Sequence, residues 1–251
     1  MANVYRDIYP AISQPIHGPH APSATQEYAL GTKLETRDGR LWRYAKAGAQ
    51  QLNPALMAQS AATPAQINNE TQTGQSSDIG DFEINVLVTT ASGIANGDLA
   101  EGTMIVKDET GANYAYRIKT NVWVSGDTVM KLTLHEPIVI ATGADSVITL
   151  VKNAYADVIV APTTLTGLCI GVPNCVVTAT HYFWAQRRGP CALIVDDGDT
   201  IVIGEPVGKP GTDAAVGTCG LVANDGTDPV WGICMNVGAE NTAALIHLTL
   251  E

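Results

Sequence analysis

The chain contains 251 residues, of which 45% are hydrophobic and only 16% are charged, and its formal net charge is −11. A chain of this length and hydrophobic content can bury a sizeable core, which is a poor match to intrinsic disorder. Because there is no excess of basic residues to displace counterions from phosphates, the composition argues against nucleic acid as a direct partner.

The N-terminal residues 1–26 predict an extended arm. Four prolines interrupt this segment and favour extended backbone geometry. The segment also carries four large apolar side chains, which would let the arm lie on another surface: Tyr5, Ile8, Tyr9 and Ile12. Residues 1–22 lack the basic and apolar regions of a signal peptide, so we expect assembly in the cytoplasm.

Residues 27–67 predict a β-hairpin followed by the one short helix of the chain. Asp38-Gly39 provides a tight turn between two alternating segments, which is a strong hairpin signal. After the hairpin, Asn53 can cap a helix that has Pro54 at its first position. We expect this helix to end near Gln66.

The polar segment 68–81 predicts a domain boundary, and residues 81–155 predict a middle β domain that could face outward. Between Val129 and His135, apolar and polar side chains alternate, which is typical of a strand with one buried face. No segment here is expected to form a helix long enough to connect parallel strands.

Residues 156–251 predict a C-terminal β domain of short strands separated by glycine-rich turns. The uncharged stretch 158–186 is interrupted by prolines and threonines, so we interpret it as buried strands rather than a membrane span. The sequence therefore predicts an all-β protein of glycine-rich β-barrel or sandwich domains, with an extended arm and one short helix.

No residue pattern predicts catalysis, a cofactor or a metal site. The five cysteines include no Cys-x-x-Cys pair, and we expect reduced thiols. Cys191 follows His181 by ten residues, but no local signature supplies the orienting group that a cysteine nucleophile needs. The acidic segment Asp196–Asp199 fits a solvated turn better than a calcium loop, because a strand is predicted to begin at Thr200.

The consecutive aromatic residues Tyr182, Phe183 and Trp184 are unusual in a chain with only 6% aromatic residues. Alternate side chains of a strand face opposite sides, so one side needs a second covering layer or a partner chain. We therefore take Tyr182 and Trp184 as candidate contacts with another subunit. Arg187 and Arg188 are further candidates, and we expect them to pair with acidic neighbours at the surface.

Two segments of the chain resemble virion structural proteins of tailed bacteriophages. The segment 181–195 is similar to their strand with the pattern Tyr-Phe-Trp-x-Gln-x-x-Gly-Pro, and the segment 31–48 is similar to their N-terminal hairpin around Asp-Gly-Arg. The segments 230–234 and 244–250 are also similar to the strands that follow in those proteins. The middle region 82–155 lies outside the resemblance.

The resemblance implies a capsid decoration (cement) protein or a closely related head protein. Such a protein binds the major capsid protein on the exterior of the virion, often as a homotrimer, and stabilises the shell against the pressure of packaged DNA. It has no catalytic residues and needs no cofactor. The candidate contacts in the arm, the aromatic strand and the arginine pair would then face the capsid or a neighbouring subunit.

Two other classes of function stay open at the level of the sequence. The chain could be another virion component, such as a head fibre, a tail tube or a receptor-binding domain, with Trp123 or Trp231 as a platform for a sugar. It could also be a β-barrel enzyme or lectin unrelated to viruses. An enzyme that used Cys191 would lose turnover on Cys191→Ser.

Overall fold

Seventeen β-strands and no α-helix form the regular structure of the described residues in a computed structural model of the chain, which confirms the all-β prediction. The structure describes residues 11–12, 16–64, 67–88, 93–125, 128–198, 200–209, 215–222 and 229–251. The chain divides into two compact units. Unit 1 comprises Met1–Ala61 and Ala154–Glu251, and unit 2 comprises Ala62–Asn153.

The strands follow one another along the chain in three groups. Unit 1 begins with β1 (Ala11–Ile12), β2 (Lys33–Glu35), β3 (Leu41–Lys46) and β4 (Ala58–Gln59). Unit 2 contains β5 (Glu70–Thr71), β6 (Glu83–Leu87), β7 (Thr103–Asp108), β8 (Tyr114–Ser125), β9 (Val129–Leu134) and β10 (Val147–Val151). Unit 1 resumes with β11 (Ile159–Val160), β12 (Cys169–Pro173), β13 (Tyr182–Ile194), β14 (Pro206–Gly208), β15 (Gly220–Leu221), β16 (Val230–Asn236) and β17 (Ala243–Thr249).

The predicted hairpin around Asp38-Gly39 is confirmed by the pairing of β2 with β3. Leu34 lies opposite Trp42, and the amide of Thr36 donates to the carbonyl of Arg40 across the turn at 3.0 Å. Gly39 has φ of 82°, a left-handed conformation that glycine adopts without a steric penalty. The turn chemistry therefore fixes the register of these two strands.

Strand β13 occupies the middle of the main sheet of unit 1, whose strand order is β1-β2-β3-β13-β17-β16-β14-β15. It pairs with β3 through its first half and with β17 through its second half, both antiparallel. From Phe183 to Gln186 every side chain is buried, so both faces of the sheet are covered there. From Gly189 to Leu193 burial alternates, so one face of the sheet is exposed to solvent.

The helix predicted over 53–66 is wrong for the residues described, 53–64. Its centre forms β4, which pairs with both β11 and β12. Four consecutive side chains, Met57 to Ser60, are buried, whereas a surface helix buries only one stripe. Ala55 has φ of 63°, which is incompatible with a right-handed helix. Pairing with two distant strands therefore overrides the local helix signal.

Unit 2 is a six-stranded antiparallel sheet with the order β5-β10-β7-β8-β9-β6. The alternation predicted between Val129 and His135 is confirmed, because Met130, Leu132 and Leu134 are buried and the residues between them are more exposed. These three side chains belong to one hydrophobic core that draws on every strand except β5. A single apolar face therefore holds the sheet together.

The side chain of Gln72 links the two outermost strands of this sheet. Gln72 follows β5, is 1% exposed, and bonds to Leu87 at the end of β6. The amide of Leu87 donates to Gln72 Oε1 at 2.6 Å, and Gln72 Nε2 donates to the Leu87 carbonyl at 3.1 Å and to the Glu70 carbonyl at 3.0 Å. The side-chain amide of Gln72 thus makes the hydrogen bonds that a neighbouring strand would otherwise make with Leu87. It thereby bridges the gap between the outer strands β5 and β6, which we call the seam.

The division into units differs from the four segments predicted from the sequence. The segments 27–67 and 156–251 share one sheet through the pairing of β3 with β13, so they belong to the same unit. The polar segment 68–81 is not the boundary, which lies at Ala61/Ala62. Its short polar side chains are instead used inside unit 2: Ser77 is buried and shares a hydrogen bond of 2.7 Å with Thr142.

Candidate interaction surfaces

A cluster of aromatic rings lies where β3 meets the first half of β13. Trp184 sits opposite Tyr44, with ring centroids 5.0 Å apart, and Tyr182 stacks on Tyr44 at 5.8 Å with an interplanar angle of 9°. Tyr28 contacts both Tyr44 and Trp184, at 5.3 and 5.4 Å. Burial raises the pKa of the Tyr44 hydroxyl to about 12, so this ring stays neutral at physiological pH.

The chain's own N-terminal segment covers this cluster. The indole Nε1 of Trp184 donates to the carbonyl of His17 at 3.0 Å, and the His17 ring lies 6.3 Å from that of Trp184. Ser23 and Tyr182 exchange two backbone hydrogen bonds, at 2.9 and 2.8 Å. The second layer that the aromatic strand requires is therefore supplied from within the same chain.

The structure describes some of the predicted contact residues and leaves others outside its described ranges. Trp184 is 1% exposed and lies in the interior, while Tyr182 is half-buried. Tyr5, Ile8 and Tyr9 lie outside the described residues. Ile12 belongs to β1, where its backbone is in parallel register with Leu34.

Arg187 and Arg188 form a polar network that confirms the predicted ion pairing. The guanidinium of Arg188 donates a hydrogen bond of 2.5 Å to the carboxylate of Glu35 and one of 2.9 Å to the carbonyl of Gly39. Arg187 bonds Glu251 at 3.1 Å and also donates to three backbone carbonyls, those of Cys169, Ile170 and Leu250. Its side chain is only 14% exposed, so it joins strands rather than presenting charge to a partner.

Glu251 is held by two arginines, Arg43 of β3 and Arg187 of β13. The hydrogen bond from Arg43, reinforced by the charges of both arginines, holds the pKa of the Glu251 carboxyl below its ordinary value of 4.5. The folded state therefore gains stability from this carboxylate above its unfolded pKa. That contribution is lost as pH falls through the lower folded pKa.

We accordingly expect Glu251→Gln to reduce stability near neutral pH and to flatten its dependence on pH below 4.5. The measurement is the urea midpoint of the wild type and the variant across a series from neutral to strongly acidic pH. Two curves that stay parallel through the acidic range would show that Glu251 contributes nothing to acid sensitivity.

The remaining candidates for chemistry are the cysteines and the acidic turn. Burial raises the pKa of the Cys191 thiol to about 12, which leaves almost no thiolate at neutral pH. The five cysteines are free thiols, as predicted.

Asp196 is 6% exposed and accepts hydrogen bonds of 2.8 Å from the amide of Ala215 and the hydroxyl of Thr218. These bonds hold the loop that contains Ala215 and Thr218 against the end of β13. Asp199 lies outside the described residues.

The two tryptophans considered as sugar platforms have structural contacts. Trp231 is 1% exposed and belongs to the core beneath β16 and β17. Trp123 is partly buried against the core of unit 2, and its Nε1 donates to the carbonyl of Ile94 at 3.0 Å. The buried ring of Trp231 therefore offers no open face on which a sugar could stack.

An exposed apolar surface on unit 1 was missed by the sequence reasoning. It lies on the solvent side of β13, β17 and β16, and we call it the outer face. Its exposed residues include Pro190, Ala192, Ile233, Met235, Asn236, Leu245 and His247. The available signal was the segment 243–248, Ala-Ala-Leu-Ile-His-Leu, in which apolar residues occupy both alternating sets of positions rather than one.

Comparisons with known proteins found no match to this chain among protein-family models, curated proteins or solved structures. Within the described ranges, no group of three or more histidine, cysteine or acidic side chains is arranged to hold a metal ion. In those same ranges, no helix is long and apolar enough to cross a membrane.

Proposed function

We propose that the chain is a non-enzymatic structural protein of a bacteriophage virion that binds the outer surface of the capsid and stabilises the shell. Its partner is the major capsid protein, and it joins the virion exterior after synthesis in the host cytoplasm. The proposal includes no cofactor and no direct contact with nucleic acid. The resemblance also implies self-association, as a homotrimer.

One observation carries the proposal: the two segments that resemble phage proteins, far apart in the sequence, are neighbours in the fold. Strand β3 belongs to the segment 31–48 and β13 to the segment 181–195, and they pair from Lys46↔Tyr182 to Leu41↔Arg188. If the two resemblances had arisen by chance, the two segments would not be expected to form strands that pair with each other in one sheet. Their direct pairing supports their origin in one inherited β domain.

The bounds of unit 2 along the chain give independent support to the proposal. The region without resemblance, 82–155, falls almost entirely within unit 2, which spans Ala62–Asn153 and has its own sheet and core. A separate unit inserted into the chain would interrupt the resemblance in this way. The proposal accordingly assigns shell binding to unit 1.

The physical basis of stabilisation is mass action on a closed shell. A protein that binds the assembled shell but not its released subunits stabilises the assembly by RT ln(1 + [L]/Kd) for each occupied site. Because a shell offers many equivalent sites, contacts that are weak individually become strong in sum. Unit 1 suits this role, since its sheet is covered on both faces from Phe183 to Gln186 and the Arg187–Glu251 pair joins β13 to the residues that follow β17.

The test is binding of the purified chain to empty shells of the major capsid protein from the same virus. We expect saturable co-sedimentation with the shells and a rise in their melting temperature. Shells of an unrelated phage, at the same protein concentration, are the matched control. Failure to sediment with its own shells, or equal sedimentation with both, would contradict the proposal.

A further inference from the structure

The basic residues of this acidic chain are concentrated in one part of unit 1. The segments 31–48 and 181–195, which pair through β3 and β13, hold seven of the 14 basic residues of the chain but only two of its 25 acidic residues. One further carboxylate, that of Glu251, is bound to these segments by two arginines. We call these seven basic side chains the basic region: Lys33, Arg37, Arg40, Arg43, Lys46, Arg187 and Arg188.

The basic region has more positive charge than its own carboxylates can pair with. Its seven cations and three carboxylates give a formal charge of +4, whereas the rest of the chain, with seven basic and 22 acidic residues, has a formal charge of −15. All three carboxylates already bind basic side chains, in the pairs Lys33–Glu35, Arg188–Glu35, Arg40–Asp38, Arg43–Glu251 and Arg187–Glu251. The positive charge that remains is available to a partner.

The cations near the hairpin turn are accessible from solvent. Arg37 lies in the turn, is exposed, and forms no ion pair with any residue that the structure describes. The side chains of Arg40, Arg188 and Lys33 are 38%, 34% and 33% exposed. A partner that approaches the turn therefore meets several cations at once.

The arrangement of two of these cations is unfavourable for the isolated chain. Lys33 and Arg43 lie directly opposite each other on β2 and β3, and like charges in this position destabilise a sheet. Glu35 bonds Lys33 and Glu251 bonds Arg43, but each of these carboxylates is shared with a second arginine. Carboxylates brought by a partner would offset the repulsion that remains.

We propose that the basic region binds an acidic segment of a partner protein, and this rests on the proposed function for the identity of that partner as the major capsid protein. Five of its seven cations are arginines, whose planar guanidinium groups bind carboxylates through paired hydrogen bonds. The negative charge of the rest of the chain repels an acidic segment elsewhere and so directs it to this region.

The experiment measures the binding of fluorescently labelled decaglutamate to the full chain by fluorescence anisotropy. We expect saturable binding at low ionic strength that weakens as salt is added, because salt screens exposed charges. Arg37→Glu/Arg40→Glu lowers the formal charge of the region from +4 to 0. This double variant should weaken the binding of decaglutamate by about tenfold or more.

The matched control is Lys107→Glu/Lys119→Glu, at exposed positions of β7 and β8 in unit 2. Both double variants change the formal net charge of the chain from −11 to −15, so a general repulsion would affect them equally. The control should bind decaglutamate nearly as well as the wild type.

The absence of decaglutamate binding, or an equal loss in the two double variants, would overturn the inference. Binding of decathymidylate without binding of decaglutamate would overturn it as well, because the ligand would then be a nucleic acid. Far-UV circular dichroism and the melting temperature establish that each variant is folded. Arg37→Glu alone repeats the test if the double variant does not fold, since Arg37 forms no ion pair among the described residues.

Co-sedimentation with empty shells separates this inference from the proposed function. Weaker sedimentation of Arg37→Glu/Arg40→Glu than of the wild type supports both. Equal sedimentation of the two proteins would overturn the inference and leave the proposed function standing. A wild type that binds decaglutamate but not the shells would contradict the proposed function, and with it the identity of the partner, while the acidic chemistry of the ligand would stand.

Discussion

Replacing Trp184 with alanine is expected to lower the free energy of unfolding by about 3–5 kcal/mol, the usual loss for a large aromatic side chain removed from a core. Trp184 is 1% exposed and contacts Tyr44, Tyr28 and His17. Its removal leaves a cavity between β13 and the N-terminal segment that the neighbouring rings cannot fill. Urea unfolding of the full chain measures the change.

Trp184→Phe separates packing from hydrogen bonding at the same position. The phenyl ring retains most of the contacts but cannot donate to the His17 carbonyl, a bond of 3.0 Å in the structure. Phenylalanine should therefore retain more stability than alanine, with about 1 kcal/mol of its deficit due to the lost bond. An alanine variant as stable as the wild type would show that the aromatic cluster does not hold unit 1 together.

Replacing Gln72 with leucine is expected to destabilise unit 2 by about 2–4 kcal/mol. Leucine has a similar volume but cannot bond to Leu87, so both the amide and the carbonyl of Leu87 lose their partner at the seam between β5 and β6. Each buried backbone group left unpaired costs about 1–3 kcal/mol. Hydrogen exchange resolves the effect, since the amide of Leu87 should lose its protection.

The matched control for this prediction is Gln75→Leu. Gln75 lies three residues further along the chain and is half-buried, so the same chemical change is made without opening the seam. Equal losses of stability in the two variants would mean that the bonds from Gln72 to Leu87 are not what closes the sheet.

The features predicted correctly from the sequence are those determined by neighbouring residues. Asp38-Gly39 sets the hairpin because its backbone conformation is local, with Gly39 at φ of 82°. The alternation in β9 follows from the two-residue period of a strand with one buried face. Both signals lie within a few residues and need no knowledge of the rest of the fold.

The features that were predicted wrongly or missed depend on distant residues. The helix signal at Asn53 and Pro54 is local, whereas β4 is fixed by Ile159 and Cys169, about a hundred residues away. The aromatic strand was correctly expected to need a second layer. That this layer is supplied by His17 and Tyr28 of the same chain could not be read from the composition of either segment.

The pairing of β4 with β11 has a consequence for how the protein can diversify. Gln59 lies opposite Ile159 and Ala58 opposite Val160, so the chain leaves unit 1 for unit 2 and returns at adjoining positions. The entropy of closing a loop grows only with the logarithm of its length, by about 0.6 kcal/mol for each doubling. Because unit 1 already holds the two ends of the insertion together, a longer insertion adds only this slowly growing entropic cost to the framework. A whole unit can therefore be gained, exchanged or lost at this point without changing the sequence of the framework sheet.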